Sequence, residues 1–263
     1  MLLSNQLVSV MNNILTIAIT EFKRMFNSPF AWSVLAILQF ILAMIFLTRV
    51  DEFMAVYQQQ IATVENAPGA TFFIISPIYL WAGIIMLAVM PILTMRSFAE
   101  ERMNKTLTLL SSSPLSSMQI VWGKYFGVLF FVLLFIAMLS LMPIALSFAT
   151  EIDWGMILSS SLGLFLLLAS FAAAGLYLSS LTSQPVIAAV SSFGLLMFLV
   201  VLYLSGGSQS NSSELFIYLS HFSHFETFVR GVIDSSDVVY YLLFIVGFLI
   251  LSVRKLDNDR LLG

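Results

Sequence analysis

Few residues in this sequence could do chemistry, and they gather in two segments. One is residues 95–127, MRSFAEERMNKTLTLLSSSPLSSMQIVWGKYFG, which crowds Glu100, Glu101, Arg102 and Lys105 into little more than one helical turn. The other is the stretch 206–237, which holds His221, His224, Glu226 and Arg230. Three-residue spacing puts both histidines on one helical face. A metal would need a third protein ligand at least, and Glu226 alone does not make a convincing set. Packing or hydrogen bonding is the better reading, and no metal is expected. Glu226 and Arg230 stand four apart and can pair along a helix. Cysteine is absent, which excludes disulfides and thiolate metal sites. No H-E-x-x-H, no G-x-S-x-G elbow and no repeated aspartate motif occurs. That argues against an integral-membrane enzyme such as a lipid-modifying transferase. No G-x-x-x-x-G-K-[ST] pattern occurs either, so the chain does not bind ATP as a P-loop protein does. No catalytic residue and no directly bound cofactor is expected.

The elements that position these residues follow from local signals. Ser97 and Glu100 have capping-box spacing, so a helix should start at Ser97. Its charged surface is followed by an apolar end at Leu107, Leu109 and Leu110. Ser113-Pro114 reads as an N-cap and first-turn proline for the next helix. Residues 13–27 form an amphipathic helix. Ile14, Leu15, Ala18, Phe22, Met25 and Phe26 share its apolar face, and Thr16, Thr20, Lys23, Arg24 and Asn27 share the other, with Glu21 at the border. Such a helix suits the membrane interface, with Glu21, Phe22, Lys23 and Arg24 as its defining residues. Asn27-Ser28-Pro29 stops it. The chain shows no signal-peptide pattern at its start. Met11 heads a stretch that would itself begin sensibly, so Met1 and Met11 are both candidate starts.

Of the 263 residues, 60% are hydrophobic and only 10% charged, against about 25% charged in an ordinary soluble domain. Six stretches are long and apolar enough to cross a bilayer, at about 30–48, 74–95, 120–148, 156–181, 185–205 and 238–253. The expected fold is a single all-α membrane domain over residues 1–263. With the N-terminus inside, nine basic residues lie in inner segments (Lys23, Arg24, Arg96, Arg102, Lys105, Lys124, Arg254, Lys255, Arg260) and two, Arg49 and Arg230, lie outside. That bias puts both termini in the cytoplasm. Almost no charge lies deep in a span. Lys124, Trp122 and Tyr125 belong on this reading to the headgroup layer. An ion-coupled transporter would keep ionisable residues at depth, so the energy source should be a partner.

Small residues in the fourth span, including Ala169, Ala173 and Gly175, let helices approach closely, for packing or for a subunit interface. Ala188, Ala189 and Ser192 repeat the pattern in the fifth. Pro91 and Pro143 can kink the second and third spans. Pro68-Gly69 marks a turn in the polar first outer loop. Gly206-Gly207-Ser208 breaks the fifth span. Beyond it, Leu215, Phe216, Tyr218, Leu219, Phe222, Phe225, Phe228 and Val229 form segments too short to span, which two short helices dipping into the outer leaflet would satisfy.

The pattern R-S-F-A-E-E-R-x-x-x-T-L-x-L-L-x-x-S-P followed by G-K-Y-F-G resembles that of ABC-2 type transporter permeases, and residues 219–242, LSHFSHFETFVRGVIDSSDVVYYL, resemble the gliding-motility and Nos-type branch. The resemblance implies a permease of a bacterial inner-membrane exporter. Its ATP and Mg would sit on a separate cytoplasmic ABC ATPase, two copies per complex. A second permease subunit, identical or related, would complete the path. A periplasmic partner is compatible and nucleic acid is not expected. The segment between spans two and three would be a coupling helix, with Ser97, Glu100, Glu101, Arg102, Lys105, Thr106, Leu107 and Leu110 as its coupling residues. A re-entrant hairpin with Phe222, Phe225, Glu226 and Arg230 would gate the outer side. Spans two and five would face the pathway, which makes Gly83 and Ser191 candidates to line it. A non-transporting membrane scaffold or mechanical subunit is the alternative in this branch.

Overall fold

A computed structural model describes residues 2–57, 69–106, 115–206 and 218–262. Among them the regular structure is helical throughout, and six helices are long and apolar enough to cross a membrane. In chain order the helices are α1 (Leu2–Asn27), α2 (Pro29–Glu52), α3 (Ser76–Thr94), α4 (Ala99–Met103), α5 (Ser117–Leu139), α6 (Leu141–Leu146), α7 (Trp154–Leu181), α8 (Pro185–Gly206), α9 (His221–Val229) and α10 (Ser235–Leu262). Single π-helical turns at Phe53–Tyr57 and Thr71–Ile75 lengthen α2 and α3 at the first loop.

The centre is α7. In its most apolar window 78% of residues are buried, against 22–28% for α2, α8 and α10. It is packed by α3, α5, α8, α9 and α10. A helix surrounded on every side needs small residues, and α7 has them: Ala169, Ala172, Ala173 and Ala174 are all buried. Its glycines are filled by neighbours. A methyl group on Gly175 would fall 2.1 Å from the Thr94 hydroxyl of α3, and one on Gly163 would fall 2.4 Å from Phe228 of α9. Ala169, Ala173 and Gly175 therefore serve contacts within one chain. The outer faces of α2 and α8 carry large exposed apolar side chains such as Trp32, Phe40, Val186 and Val190. Lipid is the solvent that makes such surfaces tolerable.

α1 does not simply float beside this bundle. It lies along α5, where Gly123 and Gly127, four residues apart, form a shallow groove. A methyl on Gly123 would meet Ile17 at 2.6 Å, and one on Gly127 would meet the Glu21 Cβ at 2.7 Å. The inward face therefore runs through Ile17, Ala18 and Glu21. Of the residues expected on the apolar face, Ala18 is buried and Leu15 is half exposed.

Several element boundaries differ from expectation. α5 begins at Ser117 under a true capping box, Ser116 with Gln119. The Ser113-Pro114 signal lies outside the described residues. The last helix runs well past 238–253, because Arg254 to Leu262 continue it with a charged extension. Pro91 passes inside an unbroken α3. Pro143 has no N–H for the Leu139 carbonyl, and the helix breaks there between α5 and α6. Pro68 and the first half of the expected outer hairpin, with Leu215 and Phe216, lie outside the described residues.

The glycine groove yields a test. Gly127→Leu should overpack the α1–α5 contact and cost about 1–3 kcal/mol. Limited trypsin digestion at Lys23 and Arg24 should speed up with it, while a substitution at Gly194, where a side chain would meet open space, should leave both readouts alone.

Candidate functional site

The charged loop residues assemble around a lysine that sequence reasoning assigned to the headgroup layer. Lys124 of α5 is 1% exposed. It lies between helices. Its ammonium donates to Glu101 of α4 at 2.5 Å and to Glu21 of α1, and stands 5.3 Å from the Phe98 ring centre. Arg24 closes the set, at 2.9 Å from Glu21 and 3.5 Å from Glu101. Two cations and two carboxylates cancel, which is the condition for keeping them out of water. One side chain thus ties three helices, α1, α4 and α5, at one point. Phe22 adds ring contacts to Phe26 and Phe130, while Lys23 stays exposed.

The expected capping box at Ser97 does not form. α4 begins at Ala99, with no side-chain cap of its own. Its first donors are met from the end of α7 instead: the Ser179 hydroxyl oxygen accepts the N–H groups of Phe98 and Ala99, both at 3.1 Å, and donates to the Met95 carbonyl at 2.9 Å. Ser97 is buried, and its N–H goes to the Thr94 carbonyl. α4 then ends sharply. The Thr106 N–H reaches back to the Glu101 carbonyl and the Lys105 N–H to the Arg102 carbonyl, the paired bonds of a Schellman turn. Lys105 takes the left-handed position there, φ 57°, where glycine is usual, at a cost of roughly 1–2 kcal/mol. Arg102 pairs with Asp259 on the charged extension of α10, and Lys255 holds the same aspartate at 2.9 Å. Glu100 carries no ion pair among the described residues. Leu107 and Leu110 lie outside the described residues.

At the other end of α7 sits α9. Ser159 donates to the Phe228 carbonyl at 2.9 Å and Ser160 to the Val229 carbonyl at 3.5 Å, so two α7 hydroxyls satisfy the last carbonyls of α9. Gly231, φ 86°, completes its turn. Phe222 and Phe225 pack over Gly83 of α3. Glu226 accepts from Arg230 at 2.6 Å and from Tyr203 of α8 at 3.0 Å, and hydrogen bonding to Glu226 raises the Arg230 pKa. Ser191 of α8 donates only to carbonyls of its own helix.

The histidines are held in a polar cluster. His224 Nδ1 lies 2.6 Å from Asp237, and its Nε2 donates to the Tyr218 carbonyl at 2.8 Å. Thr227 joins the same aspartate. His221 Nδ1 lies 2.8 Å from the Tyr240 hydroxyl, inside a shell of Phe171, Tyr241 and Phe244. Burial, helped by the nearby His224, pushes the His221 pKa down from 6.5 to about 3. Among the described residues no group of three potential metal ligands occurs.

One structural unit therefore holds α4 at one end of α7 and α9 at the other. A model of the ABC-2 family transporter proteins matches residues 15–261, nearly the whole chain. The chain belongs to the ABC-2 transporter family. A comparison with curated proteins finds no match. Membership makes the chain the membrane component of an ABC transporter, a permease subunit with no ATPase site of its own, and implies an ATPase partner.

Sequence reasoning missed Lys124, Ser179, Asp237 and Asp259 as structural partners. Lys124 alone left a signal: a lysine between two glycines four apart, in an otherwise apolar helix, needs a close neighbour of opposite charge.

Two outcomes follow. Lys124→Met leaves two carboxylates sharing Arg24 alone and should lower unfolding stability in micelles by about 3–5 kcal/mol. Adding Glu21→Gln and Glu101→Gln to it should recover most of that loss. For His221, the unfolded chain takes up a proton below pH 6.5 and the folded chain does not until about pH 3. Stability should fall on acidification across that window, by about 1.4 kcal/mol per pH unit at most. His221→Gln should remove this component, as measured by thermal unfolding at stepped pH.

Proposed function

We propose that this ABC-2 permease is an exporter subunit of the inner membrane, with both termini cytoplasmic, driven through α4 by a separate ATPase that carries ATP and Mg. Two ATPase copies and a second permease, identical or related, complete the unit. The positive-inside bias supports the orientation, since α4 and the α1–α5 ion cluster then face the cytoplasm. Resemblance at residues 219–242 supports the gliding-motility and Nos-type branch, and leaves room for a periplasmic partner.

The observation that carries the reading is the bracing of α4. Five residues of helix have little stability alone. This helix is held by Lys124 on one side, Ser179 at its start and Asp259 on the other side. A push on α4 is therefore delivered to α1, α5, α7 and α10 together. α7 runs about 29 Å from Ser160 to Ser179 at 1.5 Å per residue, and links that push to α9. α9 then acts as an outer gate, with Phe222 and Phe225 over α3 and Glu226 tied to α8.

Glu100 separates coupling from folding, because it makes no ion pair among the described residues. Glu100→Lys should leave folding and membrane insertion intact while ATP hydrolysis by the reconstituted complex drives less transport. Adding Glu101→Lys, which also puts a third cation into the Lys124 cluster, should abolish the coupling at a cost in stability. Full coupling in the double variant would remove α4 from the energy path. ATP hydrolysis that responds to a periplasmic partner but moves nothing across the membrane would favour the mechanical alternative.

A further inference from the structure

A cavity of about 410 Å³ opens between α1, α2, α3, α4 and α5. Its floor is apolar, formed by Met25, Phe30, Ile92, Leu93 and Val128. Its rim is charged. Glu21, Glu101 and Arg24 line it but are already balanced, with Lys124, in the ion cluster. Arg96 and Glu100 remain. Neither has an ion-pair partner among the described residues, each other included. The Arg96 guanidinium stands over the Phe30 ring at 5.2 Å, above the apolar floor. A ligand resting there meets one unpaired cation and one unpaired anion.

The depth of the cavity is marked by Trp32. Its indole N–H donates to the Phe26 carbonyl at 3.2 Å, and the residue is 61% exposed. An exposed tryptophan with a satisfied N–H, beside a stretch of exposed apolar side chains, belongs at headgroup level. Phe30 and Ala31 of the cavity wall adjoin it in sequence, so the cavity opens where phospholipid headgroups lie. Ile92, 40% exposed, offers an apolar exit for acyl chains. The volume is within the usual range for small-ligand pockets, about 300–1,000 Å³.

We propose that this cavity binds the zwitterionic headgroup of a phospholipid, with the phosphate at Arg96 and the ammonium of phosphoethanolamine at Glu100. Arg suits phosphate because its fork can donate twice. An anionic lipid without the ammonium would leave Glu100 unpaired and facing a phosphate, which disfavours it. A bound lipid would fill the space between α1 and α4 and set their spacing. This assignment needs the membrane-spanning fold only, and stands apart from the transport reading.

The test is native mass spectrometry of the full chain in micelles, without any ATPase, supplied with phosphatidylethanolamine or phosphatidylglycerol at equal concentration. Wild type should retain one phosphatidylethanolamine in preference to phosphatidylglycerol by about tenfold, the worth of one charge-assisted hydrogen bond. Glu100→Gln should abolish that preference while still retaining phospholipid. Arg96→Gln should lose both lipids. Circular dichroism checks that each variant is folded. A change in headgroup preference is not something a merely loosened fold would produce. Equal retention of the two lipids by wild type overturns the proposal, as does an unchanged preference in Glu100→Gln. Soluble phosphoethanolamine that displaces the lipid at equal concentration would assign the cavity to a soluble ligand. Crosslinks from Arg96 and Glu100 to an added ATPase subunit, with no lipid retained, would assign these charges to a protein contact. Either result overturns it.

Discussion

A lysine ammonium that is 1% exposed has to be matched by negative charge, and everything at one end of this molecule is arranged around that demand. Lys124 sits on α5, but its partners come from α1 and α4, so the charge can be satisfied only if three separately folded helices converge. Gly123 and Gly127 make the convergence possible by removing the side chains that would hold α1 away. Such a buried pair adds little net stability by comparison with an apolar core of the same shape. What it adds is position: an alternative packing of α1 or α4 would strand a charge.

The six spans were legible in the sequence because lipid imposes a long, continuous apolar run, and that pattern survives any tertiary arrangement. The family was legible from the loop between the second and third spans, and the family match bears that out. Local signals read less well where a distant residue supplied the bond. Ser97 and Glu100 have the right spacing for a cap, yet Ser179, some 80 positions away, takes the two N–H groups at the start of α4. A helical wheel sorts residues into apolar and polar faces. It placed Glu21 at a border. The structure turns Glu21 inward, because the surface that α1 meets carries Lys124. The last helix looked short because charges end its apolar run. Those charges instead extend it, with Asp259 holding Arg102.

The two ends of α7 are built alike. At each end its serines satisfy backbone groups of a short helix that could not stand alone: Ser179 serves the first donors of α4, and Ser159 and Ser160 serve the last carbonyls of α9. Between them the helix is packed on all sides with small residues and glycine contacts, so it has little room to bend. That construction joins α4 and α9 through one closely packed helix.

Hydrogen exchange at His221–Val229 tests this account most directly, measured before and after the ATPase subunit and a non-hydrolysable ATP analogue are added to the permease. Transmission along α7 predicts that exchange in α9 changes together with exchange in α4. A response confined to α1, α4 and α5, with α9 unaltered, would contradict it.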